Sequence, residues 1–228
     1  MERPSMALAL AAVSGVLNAW TFGNAGSFAT VQSGNIITAG FYGAQGDWTK
    51  VAPVLASILA FGVGAALSAI FLTLILRHDG MYSAWVLGFE AIVLIVCVAL
   101  VGAGLVPAMP VALTVSFIAG IQGNAFHRDS GMLYGNTAVT FVVQMTFSLI
   151  GRALVSQRVS DGDPHLRNAA IYGSVLLAFA FGAAAGFGLD TLWAAGSLAA
   201  GALALAVMAI VAVLARGAVD PEQNAPTP

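Results

Sequence analysis

Residues 83–106, SAWVLGFEAIVLIVCVALVGAGLV, contain a single charged side chain, Glu90. A run of this length, wound as a helix, is long enough to cross the roughly 30 Å hydrocarbon core of a bilayer. The whole chain has the same character, because 59% of its residues are hydrophobic and only 8% are charged. Soluble domains carry about a quarter charged residues. The composition therefore predicts an all-α integral membrane protein.

Eight apolar segments can be read in the sequence, separated by short polar connectors. They lie at about residues 5–22, 28–45, 51–76, 83–106, 109–126, 132–155, 167–188 and 190–215. We expect them to form one transmembrane domain over residues 1–216, followed by a disordered polar tail at 217–228. The first apolar run continues as far as Trp20, which favours a retained span over a cleaved signal peptide.

Similar polar motifs recur in the two halves of the chain. They are SGVLNAW (14–20) and QSGNIIT (32–38) in the first half, and AGIQGNAF (119–126) and YGNTAVT (134–140) in the second. Each half reads Gly, then Asn-Ala-aromatic, then Gly-Asn with a following Thr. This shared order predicts an internal duplication, with repeat one at about 5–106 and repeat two at about 109–215.

Basic residues favour the cytoplasmic side of a membrane, and their positions distinguish two topologies. If all eight segments cross the membrane, Arg77 and Arg128 lie outside the cell. If segments two and six each enter and leave on the same side, Lys50 is the only basic residue outside the cell. We therefore prefer six crossings in two inverted repeats of three, with the Gly-Asn motifs on re-entrant segments, a common transporter plan. Both termini are then cytoplasmic. The length of segment six, which suffices for a full crossing, is an argument for the eight-crossing alternative.

Amide side chains occur inside otherwise apolar segments, where an unpaired amide costs several kcal/mol. One interpretation is that they hydrogen-bond neighbouring helices together. The other is that they line a polar cavity where the two repeats meet, since the adjacent glycines allow a helix to unwind. On the second interpretation the predicted solute contacts are Asn18, Gln32, Ser33, Gly34, Asn35, Gln122, Asn124, Gly135, Asn136 and Thr137.

Glu90 is the only charged residue well inside a segment. A carboxylate at the centre of a membrane costs about 2.5–3.5 kcal/mol on insertion scales. It is a candidate for proton coupling or for binding a substrate. The alternatives are a carboxyl group that hydrogen-bonds to a neighbouring helix, or one close enough to the interface to be solvated.

Several classes of function lack support in the sequence. The net charge of −2, without a basic run, argues against a nucleic-acid partner. With Cys97 as the only cysteine there is no intrachain disulfide, and no cluster with the spacing of metal ligands occurs. We expect no cofactor and no enzymatic activity, because no nucleotide or nucleophile motif is present. Six further acidic and histidine residues are interpreted as loop residues: His78, Asp79, Asp161, Asp163, His165 and Asp190.

The motifs SGVLNAW (14–20), QSGNIITAG (32–40) and GIQGNAFHR (120–128) resemble the YoaK-like family of bacterial inner-membrane proteins. This family is a domain of unknown function, drawn with six spans, and the resemblance covers about residues 8–215. It implies a multi-pass protein of the inner membrane. The family usually has Gly-x-x-Asp-Ala and Thr-Gly-Asn where this chain has Asn18 and Ser33. If the family's Asp carries a proton, Glu90 is the remaining candidate here.

Our leading interpretation is a transporter or channel for a small polar or weakly anionic solute, with Glu90 as the coupling group if transport is linked to protons. A membrane scaffold is the main rival, because the small residues of 62–68 could pack against another helix or form the seam of a homo-oligomer. An intramembrane enzyme is a weaker alternative. Beyond the solute and the lipid bilayer, the sequence indicates no partner.

Overall fold

The computed structural model describes residues 4–71, 73–74, 82–126, 128–129, 132–133, 139–159 and 164–214. These residues form the helices α1 (Pro4–Ala25), α2 (Gln32–Ala44), α3 (Trp48–Phe71), α4 (Tyr82–Gly102), α5 (Ala108–Ala125), α6 (Val139–Val159), α7 (His165–Leu192) and α8 (Gly196–Leu214). Two strands of two residues, β1 (Arg128–Asp129) and β2 (Met132–Leu133), pair antiparallel between α5 and α6. The prediction of an all-α membrane protein is confirmed.

Six of these helices are long and apolar enough to cross a membrane: α1 from Ser5 onward, α3, α4, α5, α7 and α8. Helix α2 has only 13 residues, and the apolar part of α6 is limited to Val139–Val155. Large apolar side chains cover the outside of the bundle, as in Leu59 and Leu203, each exposed over more than half of its surface. An outer surface of this kind suits contact with lipid rather than water. The protein is a multi-pass helical membrane protein.

The ends of α1, α4 and α7 lie at one face of the bundle, which we name the distal face. The indole Nε1 of Trp20, near the end of α1, donates to the carbonyl oxygen of Ala194, just beyond α7, at 2.8 Å. The Cβ position of Gly102, at the end of α4, lies 3.5 Å from the ring of Trp193. Helix α5 follows α4 after a short turn, so α5 begins at the distal face and ends at the opposite, proximal face.

Helix α3 runs parallel to α5, since contacts between them advance along both chains together. Ser57 and Ser116 share a hydrogen bond of 2.8 Å, and Ser68 donates to the carbonyl oxygen of Ile121 at 3.3 Å. Helix α3 therefore begins at the distal face, where α1 ends. The chain between them, including α2, enters and leaves at this one face.

Helices α6 and α7 repeat this arrangement at the proximal face. A Cβ added to Gly15 of α1 would lie against Phe179 of α7, and one added to Gly186, later in α7, would lie against Val16, later in α1. The contacts advance along both helices together, so α7 runs parallel to α1. Helix α5 ends at the proximal face and α7 begins there, so α6 and the segment before it start and finish on that side. This geometry agrees with three plus three crossings, while the duplication itself stays a prediction.

Two pairs of glycines allow the closest helix contacts. In α3 and α5, the Cβ positions of Gly64 and Gly120 overlap the carbonyl oxygens of Phe117 and Phe61. In α7 and α1, those of Gly182 and Gly15 overlap the carbonyl oxygens of Ala12 and Phe179. The sequences FGVGAA (61–66) and FAFGAA (179–184) carry one glycine of each pair. They are identical at four of six positions, the Phe, the paired Gly and the two Ala that follow it, a similarity that was overlooked in the sequence.

Two helix starts differ from the sequence-based boundaries. Segment two was predicted to begin near residue 28, but α2 begins at Gln32, because the preceding backbone bonds to side chains of α1 and α2. Segment six was predicted from about 132, where the structure has β2, and α6 begins at Val139. The tail at 217–228 lies outside the described residues.

His165 and Asp190 were predicted as loop residues and are helical instead. His165 is the first residue of α7 and is buried. The carboxylate of Asp190, in the last turn of α7, accepts the backbone N–H and the hydroxyl of Ser197, each at 2.9 Å. Because the first N–H groups of a helix lack partners within it, this carboxylate caps α8.

Labelling from the two sides of the membrane tests the re-entrant path of α2. In a Cys97→Ser background, single cysteines replace the exposed residues Asn24, Gln45 and Pro164. An impermeant thiol reagent should reach positions 24 and 45 from the same side, and position 164 from the other. Labelling of 24 and 45 from opposite sides would restore the eight-crossing topology.

Candidate functional site

The chain after α1 folds back along that helix before α2 begins. Gly26 makes this turn with a φ of 64°, a value that glycine adopts without strain. Asn18 then holds Thr30 by two hydrogen bonds: its Nδ2 donates to Thr30 Oγ1 at 2.6 Å and its Oδ1 accepts Thr30 N at 3.1 Å. Thr21 Oγ1 accepts the backbone N–H of Ala29 at 3.2 Å. Polar side chains of α1 thus fix the loop at membrane depth.

Asn35, in the first turn of α2, is buried and ties the loop to α3. Its Oδ1 accepts Phe28 N at 3.0 Å and Ser27 Oγ at 3.4 Å. Its Nδ2 donates to Phe28 O and Gln32 Oε1, both at 2.7 Å, and to Ser57 Oγ at 3.2 Å. Every hydrogen-bonding group of this amide is therefore engaged within the chain.

A chain of hydroxyl groups extends this network into α5. Ser57 Oγ lies 2.8 Å from Ser116 Oγ, and both are buried. We name the group formed by Asn18, Thr21, Thr30, Asn35, Ser57 and Ser116 the loop cluster. It joins α1, α2, α3 and α5 around the start of the half-length helix α2.

Glu90 is buried between helices, with 1% of its surface exposed. Its Oε2 accepts a hydrogen bond from the amide Nε2 of Gln122 in α5 at 3.0 Å, while its Oε1 has no hydrogen-bond partner among the described residues. As the ninth residue of α4, it lies about 12 Å from the start of that helix. The carboxyl is therefore shielded from solvent by the protein and bonded to a neighbouring helix, as one of the alternatives from the sequence expects.

Ser14 connects this carboxyl to the loop cluster. Its hydroxyl lies 3.5 Å from Gln122 Oε1, at the limit of a hydrogen bond. Ser14 and Asn18 are four residues apart on α1, so their side chains share one face of the helix. Polar side chains therefore lie one after another from Glu90 through Gln122, Ser14 and Asn18 to the re-entrant loop, with Ser14 and Asn18 one helical turn apart rather than bonded to each other.

Of the other predicted site residues, Gln32 is directly connected to the loop, because its Nε2 donates to Ala29 O at 2.8 Å and its Oε1 accepts from Asn35. Ser33 is exposed and Gln32 is half-buried at the start of α2. Gly34 is half-buried, and a Cβ there would approach the ring of Phe28 to 2.9 Å, so glycine leaves room for this ring. Asn124 bonds to Ser68 Oγ at 3.3 Å in a separate contact between α5 and α3. Gly135, Asn136 and Thr137 lie outside the described residues.

Helix packing gives a second way to align the two predicted repeats. The sequence motifs align Asn18 with Asn124, but the close contacts pair Gly15 with Gly120. At that spacing Gln122 corresponds to Leu17, and Asn124 to Ala19. The extra residue Gly123 in the second motif accounts for the shift.

The two helix pairs, α3 with α5 and α1 with α7, differ in the polarity of the side chains around their contacts. The loop cluster lies on the side of α3 and α5, whereas the equivalent contact between α1 and α7 includes the buried apolar residues Ala11 and Val175.

Reasoning from the sequence missed the hydroxyl residues of the site: Ser14, Thr21, Thr30, Ser57 and Ser116. Serine and threonine are ordinary in membrane helices, where they bond to backbone carbonyls, as Ser116 does to Ala112 O at 2.9 Å. The four-residue spacing of Ser14 and Asn18 was an available signal. The partners on α3 and α5 carry no such signal, because they are distant in sequence.

The charges available to the site are few. Among the described residues, no three His, Cys, Asp or Glu side chains lie close enough together to hold a metal ion. At the distal face, Asp47 pairs with Lys50 at 2.9 Å. Hydrogen bonds from Thr49 and then Lys50 lower the pKa of Asp47. This exposed pair is remote from Glu90, so the buried carboxyl is the chemically distinctive group of the membrane-spanning part.

Comparison with known proteins places the chain in a family. No curated protein and no solved structure matches it. A family model described as "Protein of unknown function (DUF1275)" matches residues 6–213, which is nearly the whole chain. The resemblance to the YoaK-like inner-membrane proteins is confirmed, and the chain belongs to the DUF1275 family.

Proposed function

We propose that this protein is a transporter of the bacterial inner membrane for a small polar or weakly anionic solute, with Glu90 as its proton-coupling group. The observation that carries the proposal is the state of the Glu90 carboxyl. It is buried within the candidate span α4, bonded through one oxygen to Gln122, and has no partner among the described residues at the other oxygen. Intramembrane carboxyls of this kind commonly mark ion and substrate pathways.

Coupling requires a group whose charge matters to the conformation. A carboxylate at the centre of a membrane costs about 2.5–3.5 kcal/mol on insertion scales, so binding a proton removes a cost of that size. Glu90 is the only acidic residue in α1, α4, α5 and α8. Its amide partner leads to the loop cluster, which holds the re-entrant loop. A change of protonation at Glu90 can therefore act on that loop through Gln122 and Ser14.

The start of α2 supports a site for the solute. Half-length helices that begin inside the membrane direct the positive end of their dipole toward anionic groups of a substrate. Helix α2 begins beside the loop cluster, with Ser33 exposed in its first turn. We propose that the solute contacts Gln32 and Ser33, with Gly135, Asn136 and Thr137 as the counterparts from the second repeat.

The proposed orientation places the proximal face, and with it both termini, in the cytoplasm. Arg152 and Arg167 lie toward the proximal ends of α6 and α7, while Lys50 lies near the distal end of α3. This distribution supports the orientation because basic residues favour the cytoplasmic side.

Thermal unfolding in detergent with a panel of small polar solutes and monocarboxylates tests for a binding site. A solute at about 100 times its Kd stabilises the folded state by about 2.7 kcal/mol. We expect at least one member of the panel to raise Tm by several degrees. Ser33→Val should reduce that rise, whereas Thr191→Val, at an exposed position on α7, should not. If no solute raises Tm, or if Ser33→Val leaves the rise intact, the proposed site is wrong.

A membrane scaffold is the second candidate, and the bonding of Asn35 favours it. Both the oxygen and the nitrogen of this amide are hydrogen-bonded to groups of the same chain, as expected of a purely structural residue. A scaffold, whether monomeric or a homo-oligomer, should show no Tm response to any solute in the same panel. The transporter is preferred because Glu90, unlike Asn35, has an oxygen that bonds to no described residue of the protein and is therefore available to water or a proton.

A further inference from the structure

Two buried polar atoms of α4 lack hydrogen-bond partners among the described residues, namely Oε1 of Glu90 and Oγ of Ser83. Only 1% of Glu90 and 5% of Ser83 is exposed. Buried polar groups almost always have a partner, and in native proteins an ordered water is a common one. Both atoms are therefore candidates for water binding.

The two residues lie on one face of α4. Seven residues make almost two full turns, so Ser83 sits nearly in line with Glu90 and about 10.5 Å closer to the proximal face. Side chains of a helix lean toward its N-terminus, which brings the Glu90 carboxyl toward Ser83. Two or three waters in a row, at roughly 2.8 Å spacing, would bridge the remaining distance.

The opposite direction along α4 is closed by apolar side chains. Leu94 and Cys97 continue the buried face toward the distal side, where they belong to the same core cluster as Val115 and Leu205. A dry apolar core of this kind offers no partners to a water. On the proximal side Val86 and Leu87 are buried and apolar too, but Ser83 adds a polar atom there. The polar contact nearest to Glu90 along this face of α4 is therefore on the proximal side.

The helices that pack around Glu90 carry no other charged side chain within their described residues. Helices α5 and α8 pack against α4, and neither they nor α1 contain an Asp, Glu, His, Lys or Arg. The other titratable side chains of α4 are Tyr82, which packs at 6.4 Å from the ring of Phe126, and Cys97. Glu90 is therefore the only carboxyl group in α1, α4, α5 and α8 that can exchange a proton.

We propose that Glu90 exchanges its proton with the proximal face through water that enters beside Ser83, between α4 and α5. A hydronium ion on this path transfers a proton to Glu90 Oε1 and leaves a water molecule, and release reverses the step. This inference rests on the proposed function and deepens it, since it names the side from which the coupling proton comes. Gln122, on the other oxygen, provides the contact to the loop cluster.

Infrared spectroscopy of the protein in lipid nanodiscs, transferred from H₂O to D₂O, tests the path without any solute. The wild type should show a protonated-carboxyl band that Glu90→Gln removes and that shifts as deuterium enters. Ser83→Val should slow this shift about tenfold, equivalent to about 1.4 kcal/mol in the barrier. Ser174→Val, a serine of α7 that bonds to its own helix, is the matched control and should leave the rate unchanged.

Three results would overturn the proposal: no band that depends on Glu90, an unchanged rate in Ser83→Val, or an equal slowing by Ser174→Val. If Ser83→Val does not fold, labelling decides. In a Cys97→Ser background, Ser83→Cys should react with an impermeant thiol reagent from the proximal side at least about tenfold faster than Val86→Cys. Equal reactivity of the two cysteines contradicts the path.

These measurements separate the water path from the transporter proposal. Proton exchange that slows in Ser83→Val, in a protein that transports nothing, keeps the path and refutes transport. Solute uptake by a protein whose proton exchange is unchanged in Ser83→Val supports transport and refutes the path.

Discussion

Gly120→Ala should lower the free energy of unfolding by about 3 kcal/mol, at the upper end of what overpacking a core usually costs. An added Cβ would overlap the carbonyl oxygen of Phe61 and lie 2.9 Å from its carbonyl carbon. Both atoms belong to the backbone of α3, so no side-chain rotation relieves the overlap. Helices α3 and α5 would have to separate, which also strains the contact between Ser57 and Ser116. Unfolding in detergent micelles, followed by circular dichroism, measures the loss.

The same chain provides matched controls. Gly62 lies two residues before Gly64 on α3, and its Cβ position has no atom within 4 Å. Gly62→Ala should leave stability unchanged or raise it by up to about 1 kcal/mol, because alanine loses less conformational freedom on folding. Gly15→Ala, at the equivalent contact between α1 and α7, should resemble Gly120→Ala. If Gly120→Ala were as stable as Gly62→Ala, the close helix contact would be contradicted.

The class of fold and the path of the chain were predictable because they follow from composition and charge. Apolar runs reveal membrane helices directly, and the positions of Lys50, Arg77 and Arg128 favoured six crossings over eight. Six helices of the structure have the length and apolar character for a crossing. Local patterns suffice for such predictions, since each depends on residues that are adjacent in the sequence.

The starts of α2 and α6 were not predictable in the same way. Residues 28–31 are apolar or uncharged enough to extend a helix, but Asn18 and Asn35 bond to the backbone of this stretch and hold it as a loop. Such competition between side chains and the helical backbone depends on partners several turns away. Sequence reasoning identified both amides but not the groups to which they bond.

The same limit applies to the candidate site. The sequence identified Glu90 and Gln122 separately, although they are 32 residues apart and share a hydrogen bond of 3.0 Å. The sequence left open whether Glu90 is buried. In the structure its side chain points from α4 toward Gln122 of α5 and is buried there. Only the structure shows that Glu90 Oε1 has no partner among the described residues, because the sequence does not show which side-chain atoms are hydrogen-bonded.

Proton-coupled uptake depends on the ability of Glu90 to titrate. Glu90→Gln keeps the volume of the side chain and its contact with Gln122 but removes the exchangeable carboxyl proton. A carboxyl that alternates between two environments can load and release a proton, and an amide cannot. The variant should therefore bind the solute that raises Tm and still lose all pH dependence of its transport.

The most direct test is uptake of that solute into proteoliposomes across a range of imposed pH gradients. Wild-type protein should show uptake that depends on the gradient, and Cys97→Ser, which changes a buried residue outside the polar network, should behave in the same way. Glu90→Gln should show uptake that no longer responds to pH. Uptake by Glu90→Gln with the full wild-type dependence on pH would contradict the assignment of Glu90 as the coupling group.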